Sequence, residues 1–135
     1  ILLNKKESGF VPLILRPATV CGYSPRLRLD LTVNILTNHA VNNNKILVFG
    51  GEQKRPNIHI QDMTDLYVQS LECSDESIDG NVFNAGYENH QVSDIAQIVK
   101  REVGEQVDIV KVETDDHRSY HISSEKIKQE CQQGS

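Results

Sequence analysis

The hydrophobic pattern changes period repeatedly along the chain, and each change predicts a new element. Val11–Val20, "VPLILRPATV", is a nearly continuous apolar run closed by Arg-Pro, the pattern of a strand buried on both faces. A loop, "CGYSPRLR", follows. From Asp30 to about Asn42 the apolar positions Leu31, Ile35, Leu36 and Ala40 have helical spacing, with Asp30 placed to cap the first turn. "KILVFGG" reads as a short strand ending in a Gly-Gly turn, and "NIHI" as a second one. "QDMTDLYVQSLEC" is a helix with an apolar stripe of Met63, Leu66, Tyr67, Ser70 and Leu71, and Asp62 near its start can accept from orphan amides.

The second half continues the alternation. "GNVFNAG" is a strand between glycines. "QVSDIAQIVKREVG" is an amphipathic helix that turns Val92, Ile95, Ala96, Val99 and Val103 inward. "QVDIVKVE" alternates as a strand, "SYHIS" is another extended piece, and Ser123 or Ser124 caps a last helix, "SEKIKQEC". Strands alternating with helices predict an α/β fold. At the start, residues 1–7 read as the last turns of a helix ended by Ser8-Gly9. An apolar opening without a cap, and a helical pattern that runs out at the other end, suggest a piece of a longer protein.

Composition narrows the function classes. The 135 residues suffice for one domain with a core, and 38% hydrophobic with 24% charged content is ordinary for a globular protein. A formal net charge of −5 argues against non-specific binding to nucleic acid. No apolar run reaches the length of a membrane span, since "FVPLILRPATVCG" is broken by Pro12, Arg16 and Pro17. Cys21, Cys73 and Cys131 are odd in number and far apart, which fits a reduced, cytoplasmic protein better than a disulfide framework. His117 and His121, with Asp115 and Asp116, have a spacing that binds zinc on a helix. Here the stretch reads as extended and lacks an H-E-x-x-H arrangement, so no metal site is expected.

The stretch "GGEQKRPNIHIQD", residues 50–62, concentrates the chemistry. A turn that only reverses the chain needs no paired cations, whereas one that receives a phosphate does. A guanidinium presents fixed paired donors to phosphate oxygens, so Arg55 is the leading candidate, with a surface ion pair as its alternative. Lys54 raises the local potential. On the extended "NIHI", Ile58 and Ile60 share one face and Asn57 and His59 the other, which favours a structural, hydrogen-bonded His59 over an acid or base. Asp62 reads as a helix N-cap.

Three blocks, "LILRPATVCGYSPR", "ILVFGGEQKRPNIHIQDMTDLY" and "NVFNAGYENHQVSDIAQIVKREVG", stand in an order and spacing that resemble the NAD-dependent epimerase/dehydratase family. These are the extended short-chain dehydrogenases that act on nucleotide sugars. The resemblance runs from Ile1 to about Cys131. It implies part of a Rossmann-like NAD(P)-binding fold: the last of the sheet at about 10–30 and 80–90, interleaved with a substrate-binding subdomain at about 31–79 and 91–135. It implies NAD or NADP as cofactor and a nucleotide-diphosphate sugar as substrate. The family's Gly-rich dinucleotide turn and its Tyr-x-x-x-Lys do not occur here: Lys5 and Lys6 have no Tyr four residues before either. No catalytic residue is therefore expected within this chain.

By the same resemblance Pro17, Ala18, Thr19 and Val20 approach the nicotinamide and, at Thr19, the sugar; the alternative is a strand terminus with a structural proline. Arg55 grips the diphosphate, and Arg118 in "DDHRSYHIS" joins it from a separate segment. Residues between Tyr23 and Asn34 fall where the family lines its sugar and base pocket. Asn34 either reaches substrate or is a solvated amide. Cys21-Gly22-Tyr23 departs from the Tyr-Gly-Pro that often follows "RPATV" in the family. Cys21 reads as a small core residue, having no evident His or Asn partner for nucleophilic work.

Three readings follow. The chain is the substrate-binding portion of a nucleotide-sugar epimerase, dehydratase or reductase, a non-catalytic binding or assembly module derived from one, or a stable fragment with no independent role. Strands resembling the last members of a parallel sheet leave edges to be covered, which predicts self-association.

Overall fold

The computed structural model describes residues 9–86, 88–116 and 118–132. The expected α/β fold is present. In chain order the elements are β1 (Ile14–Pro17), β2 (Thr19–Cys21), α1 (Thr32–Asn43), β3 (Lys45–Phe49), β4 (Lys54–His59), α2 (Ile60–Glu72), α3 (Asp75–Ile78), β5 (Val82–Ala85), β6 (Glu88–Gln91), α4 (Val92–Val103), β7 (Asp108–Val112) and α5 (Glu125–Gln132). Among the described residues the strands form three small sheets, β1-β5, β2-β4-β6 and β3-β7. Every pairing is parallel except β4 with β6.

The best-packed core lies between α1, α4 and β3. Leu36 and Ala40 of α1 meet Ile46 and Val48 of β3 and Val92, Ile95, Ala96 and Val99 of α4. The inward face expected of residues 92–103 is the one observed, with Val103 packed at its margin. At the start of α4 the backbone N–H of Gln91 donates to Asp94 Oδ2 at 3.3 Å, closing an otherwise open helix end. Smaller clusters gather Ile58, Met63 and Ala85, and Ile78, Phe83 and Ile127.

Several expectations are corrected. Val11–Val20 is two strands, not one, with Ala18 between them: β1 joins β5 while β2 joins β4. The last bond to the β5 side is the Ala18 N–H donating to Ala85 O at 2.7 Å, and from Thr19 onward the chain pairs with β4 instead. Nor is this stretch buried on both faces, because Ile14 and Leu15 are only half-buried and Arg16 and Pro17 are exposed. The N-cap of α1 is Leu31, with no side-chain cap. Asp30 is instead engaged by Arg28, whose Nε and Nη2 donate at 3.1 and 2.6 Å.

The strand expected at "NIHI" starts earlier, at Lys54, and Ile60 already belongs to α2, so Ile58 shares its buried face with Pro56 instead. The cap of α2 is His59 rather than Asp62: its Nδ1 accepts from the Gln61 N–H at 3.2 Å. Tyr67 and Leu71 are exposed at 54% and 86%, leaving Met63, Ser70 and the half-buried Leu66 as the inward stripe of α2. Neither α3 nor β6 is apparent from periodicity, since each spans only four residues. The N-terminal helix expected at 1–7, with Lys5 and Lys6, lies outside the described residues, as do His117 and the side chain of Cys131.

The Gly50-Gly51 turn carries the chain from β3 in one sheet to β4 in another. Both residues have positive φ, 71° and 109°, which a residue with a side chain rarely adopts. Gly50 donates its N–H to Val112 O and Gly51 accepts from Ser93 N–H, so the turn is tied to both β7 and α4.

Candidate functional site

Arg55 occupies the second position of β4, opposite His90 of β6. Its neighbours on β4, Pro56 and Ile58, point into the core, so alternation sends Arg55 to the other face together with Asn57 and His59. The segment 118–120 is laid against the start of this strand. The Lys54 N–H donates to Ser119 Oγ at 2.9 Å, and the Tyr120 N–H donates to Lys54 O at 3.5 Å. Arg55 Nη1 donates to the carbonyl oxygens of Lys54 and Arg118. The Tyr120 ring covers the guanidinium, 5.3 Å from ring centre to Cζ, a distance at which the ring's negative face attracts the cation.

The two expected arginines therefore do come together, 63 residues apart in sequence. What they converge on is a carboxylate of the chain itself. Arg118 Nε and Nη2 each reach Asp116 at 2.8 Å, to Oδ1 and Oδ2, and the Arg118 N–H adds a bond of 3.1 Å to Oδ1. Arg55 Nη2 lies 3.8 Å from Oδ2 of the same carboxylate. The hydrogen-bonded Arg118, and beyond it Arg55, hold the Asp116 carboxyl well below the usual carboxylate range. Arg55 is the protected member, its side chain 16% exposed against 85% for Arg118.

Beside this cluster is a cleft of about 360 Å³ whose wall includes Pro17, Ala18, Thr19, Val20, Tyr120 and Arg28. All four residues expected to approach a cofactor thus line one cavity, at the carboxyl end of β1 and the start of β2; the carboxyl end of a strand is where open α/β sheets receive ligands. Tyr120 joins this cleft to the arginines, since one ring lines the cavity and covers Arg55. A larger cleft of about 930 Å³ lies beyond Gly50, but Glu52, Glu113 and Asp115 on its wall outnumber Lys111. That charge repels a phosphate, so the smaller cleft is the better anion neighbour.

Tyr23 and Asn34 are placed elsewhere. They line an apolar groove of about 400 Å³ with Leu27, Leu29, Val33 and His59. Tyr23 is 84% exposed. Asn34 is buried, and both ends of its amide are committed: Oδ1 accepts from the Gly22 N–H at 3.3 Å and Nδ2 donates to Arg28 O at 2.8 Å. It is therefore not a solvated amide; it staples the 22–28 loop to α1. Cys21 is half-buried, with its Sγ against Ile58 O at 3.6 Å. Burial, more than the nearby Asp62, pushes its thiol up, which disfavours the nucleophilic thiolate.

The model of the NAD dependent epimerase/dehydratase family matches residues 2–86, more than half of the chain. The chain belongs to this family. Solved structures of similar fold include UDP-glucuronic acid 4-epimerase from Bacillus cereus, in complex with UDP-glucuronic acid and NAD. It matches with a TM-score of 0.71 at 25% identity, over 91% of this chain and 39% of that one. UDP-glucose 4-epimerase from Thermotoga maritima, solved with UDP-glucose, matches with a TM-score of 0.69 at 24% identity, over 85% and 38%. dTDP-glucose 4,6-dehydratase from Bacillus anthracis, in complex with NAD, gives 0.66 at 22%, over 86% and 36%. The chain thus has part of a Rossmann-like, extended short-chain dehydrogenase fold and spans well under half the length of these structures.

Two residues of this arginine cluster carry no strong signal in the sequence. Asp116 is visible only as the acid two residues before Arg118, and Tyr120 only as the aromatic two residues after it. That both meet Arg55 follows from the docking of segment 118–120 on β4, which no local pattern encodes.

Proposed function

We propose that this chain is the substrate-binding portion of an NAD(P)-dependent nucleotide-sugar epimerase or dehydratase, with Arg55 and Arg118 as the grip on the diphosphate. The observation that carries this reading is the convergence of the two guanidinium groups on one anionic group, Asp116. Arginine pairs of this kind suit a diphosphate, whose oxygens accept charge-assisted, paired hydrogen bonds. The ligands named with the Bacillus cereus and Thermotoga maritima enzymes, UDP-glucuronic acid and UDP-glucose, are of the same chemical class.

The adjoining cleft suits one end of the cofactor. Pro17, Ala18, Thr19 and Val20 border the nicotinamide, with Thr19 able to turn a hydroxyl toward the sugar. The bound nicotinamide supplies hydride exchange with a sugar carbon. The diphosphate grip serves that chemistry by fixing the sugar through binding energy remote from the reacting carbon. Tyr23 belongs to the outer rim of the sugar and base region, and Asn34 acts by shaping the loop that carries Tyr23. The parallel pairing of β1 with β5 supports assigning about 10–30 and 80–90 to the Rossmann-like sheet, with about 31–79 and 91–135 as the substrate subdomain.

Calorimetric titration with UDP, dTDP, GDP and ADP tests the reading, with Arg55→Ala as the control. Saturable binding of one of them that the variant loses supports it and identifies the base. Binding that the variant leaves unchanged, or none to the folded chain, counts against it.

A further inference from the structure

The geometry points to Asp116 as an internal stand-in for a phosphoryl oxygen, an affinity-setting residue whose carboxylate a bound diphosphate must displace from Arg55. This rests on the diphosphate reading above and deepens it. Arg55 Nη1 is committed to two carbonyl oxygens and the Tyr120 ring covers the guanidinium. Nη2 faces Asp116 Oδ2, at 3.8 Å. That separation is about 1 Å longer than a charge-assisted bond, so Arg55 is attracted by Asp116 without being saturated by it. The same oxygen receives Arg118 Nη2 at 2.8 Å. Oδ2 therefore marks the point where the two guanidinium groups meet, and a phosphate oxygen that contacts both has to take this point or crowd it.

Two consequences follow from charge and exposure. Asp116 keeps its negative charge, because Arg118 and its backbone N–H bond the ionised form. A diphosphate arriving at Arg55 then meets a like charge a few ångströms away, which weakens its binding. Arg118 is largely in solvent, so it can swing with Asp116 or leave it, whereas Arg55 is held by the backbone of 54 and 118 and stays. Arg55 is the fixed anchor, and Asp116 sets how strongly an anion must compete for it.

The test is calorimetric titration of the full chain with inorganic pyrophosphate and with UDP, at constant ionic strength, comparing wild type with Asp116→Asn, Asp116→Ala and Arg55→Ala. Circular dichroism melts establish that each variant is folded. Removing the charge should tighten binding of both probes by about three- to ten-fold, the size expected for losing one partly solvated like charge nearby. A residue that merely braces the loop would give the opposite sign, since its loss loosens the site. Unchanged or weaker binding in both folded Asp116 variants overturns the inference. If Arg55→Ala abolishes binding while the Asp116 variants bind no tighter, only this inference falls. If Arg55→Ala binds like wild type, the diphosphate reading falls and takes this inference with it. Should wild type bind neither probe, binding gained by the Asp116 variants supports the inference, and none in any variant overturns it.

Discussion

The guanidinium of Arg55 lies 5.3 Å from the centre of the Tyr120 ring, so the cation proposed to grip a diphosphate is steered by an aromatic from a segment 65 residues further along the chain. The ring face makes this contact. Tyr120→Phe should therefore preserve nucleotide binding, while Tyr120→Ala should weaken it several-fold with a stability loss below about 1 kcal/mol, because Tyr120 is half exposed. Titration with UDP and a urea melt measure the two effects. A Phe variant as impaired as the Ala variant would move the credit from the ring to the hydroxyl.

Gly86 makes a second long-range fit. A Cβ added there would stand 2.5 Å from Ile122 Cδ1 and 3.2 Å from the Ala18 Cβ. Ser124 Oγ also accepts from the Gly86 N–H and donates to the Gly86 carbonyl, both at 2.9 Å. Gly86→Ala must push Ile122 aside and should cost about 1–3 kcal/mol in urea denaturation. The double variant Gly86→Ala with Ile122→Ala should recover part of that loss relative to the sum of the single changes. Strict additivity would show that the two residues are not in contact in solution.

The charge on Asp116 has a definite pH consequence. Its folded-state pKa is depressed, chiefly by the Arg118 side chain, so any stability it contributes is present above the unfolded carboxylate pKa and is lost as the pH falls through the folded value. Acidification from neutrality through about pH 4, where an ordinary aspartate is half protonated, should leave the Asp116 carboxyl carbon resonance flat. Arg118→Ala removes the main cause but leaves the backbone N–H of residue 118 and the Arg55 charge, so the resonance should then titrate closer to its ordinary position. A wild-type resonance that already moves there would mean the pair does not persist in solution.

Self-association is the fourth expectation. β1 pairs with β5 alone among the described strands, and Phe10, Leu71 and Val68 are each about half exposed or more. Unpaired strand edges and apolar side chains of this kind favour contact with another chain. Sedimentation velocity should show dimers or larger species whose share grows with concentration. A monodisperse monomer across that range contradicts it.

The sequence made some of this legible and concealed the rest for physical reasons. The α4 helix could be read residue by residue, because twelve residues of 3.6-residue periodicity leave one consistent inward face. The α2 stripe was half right. Tyr67 and Leu71 obey the same period as Met63, yet both stay more than half exposed. The cap of α2 went to His59 rather than Asp62 because β4 runs to His59, a boundary set by its pairing with β2 at Cys21.

By itself the sequence determined the alternation of strands and helices, the α/β class, the family and the two arginines, since each is written in local periodicity or a contiguous motif. Only the tertiary structure decided that Val11–Val20 divides between two sheets, that Asn34 holds a loop, and that Arg55 and Arg118 share Asp116 beneath Tyr120. Those relations depend on which backbone donors and acceptors remain free once distant strands have paired. A side chain's partner across more than sixty residues is settled by that pairing, not by its neighbours in the chain.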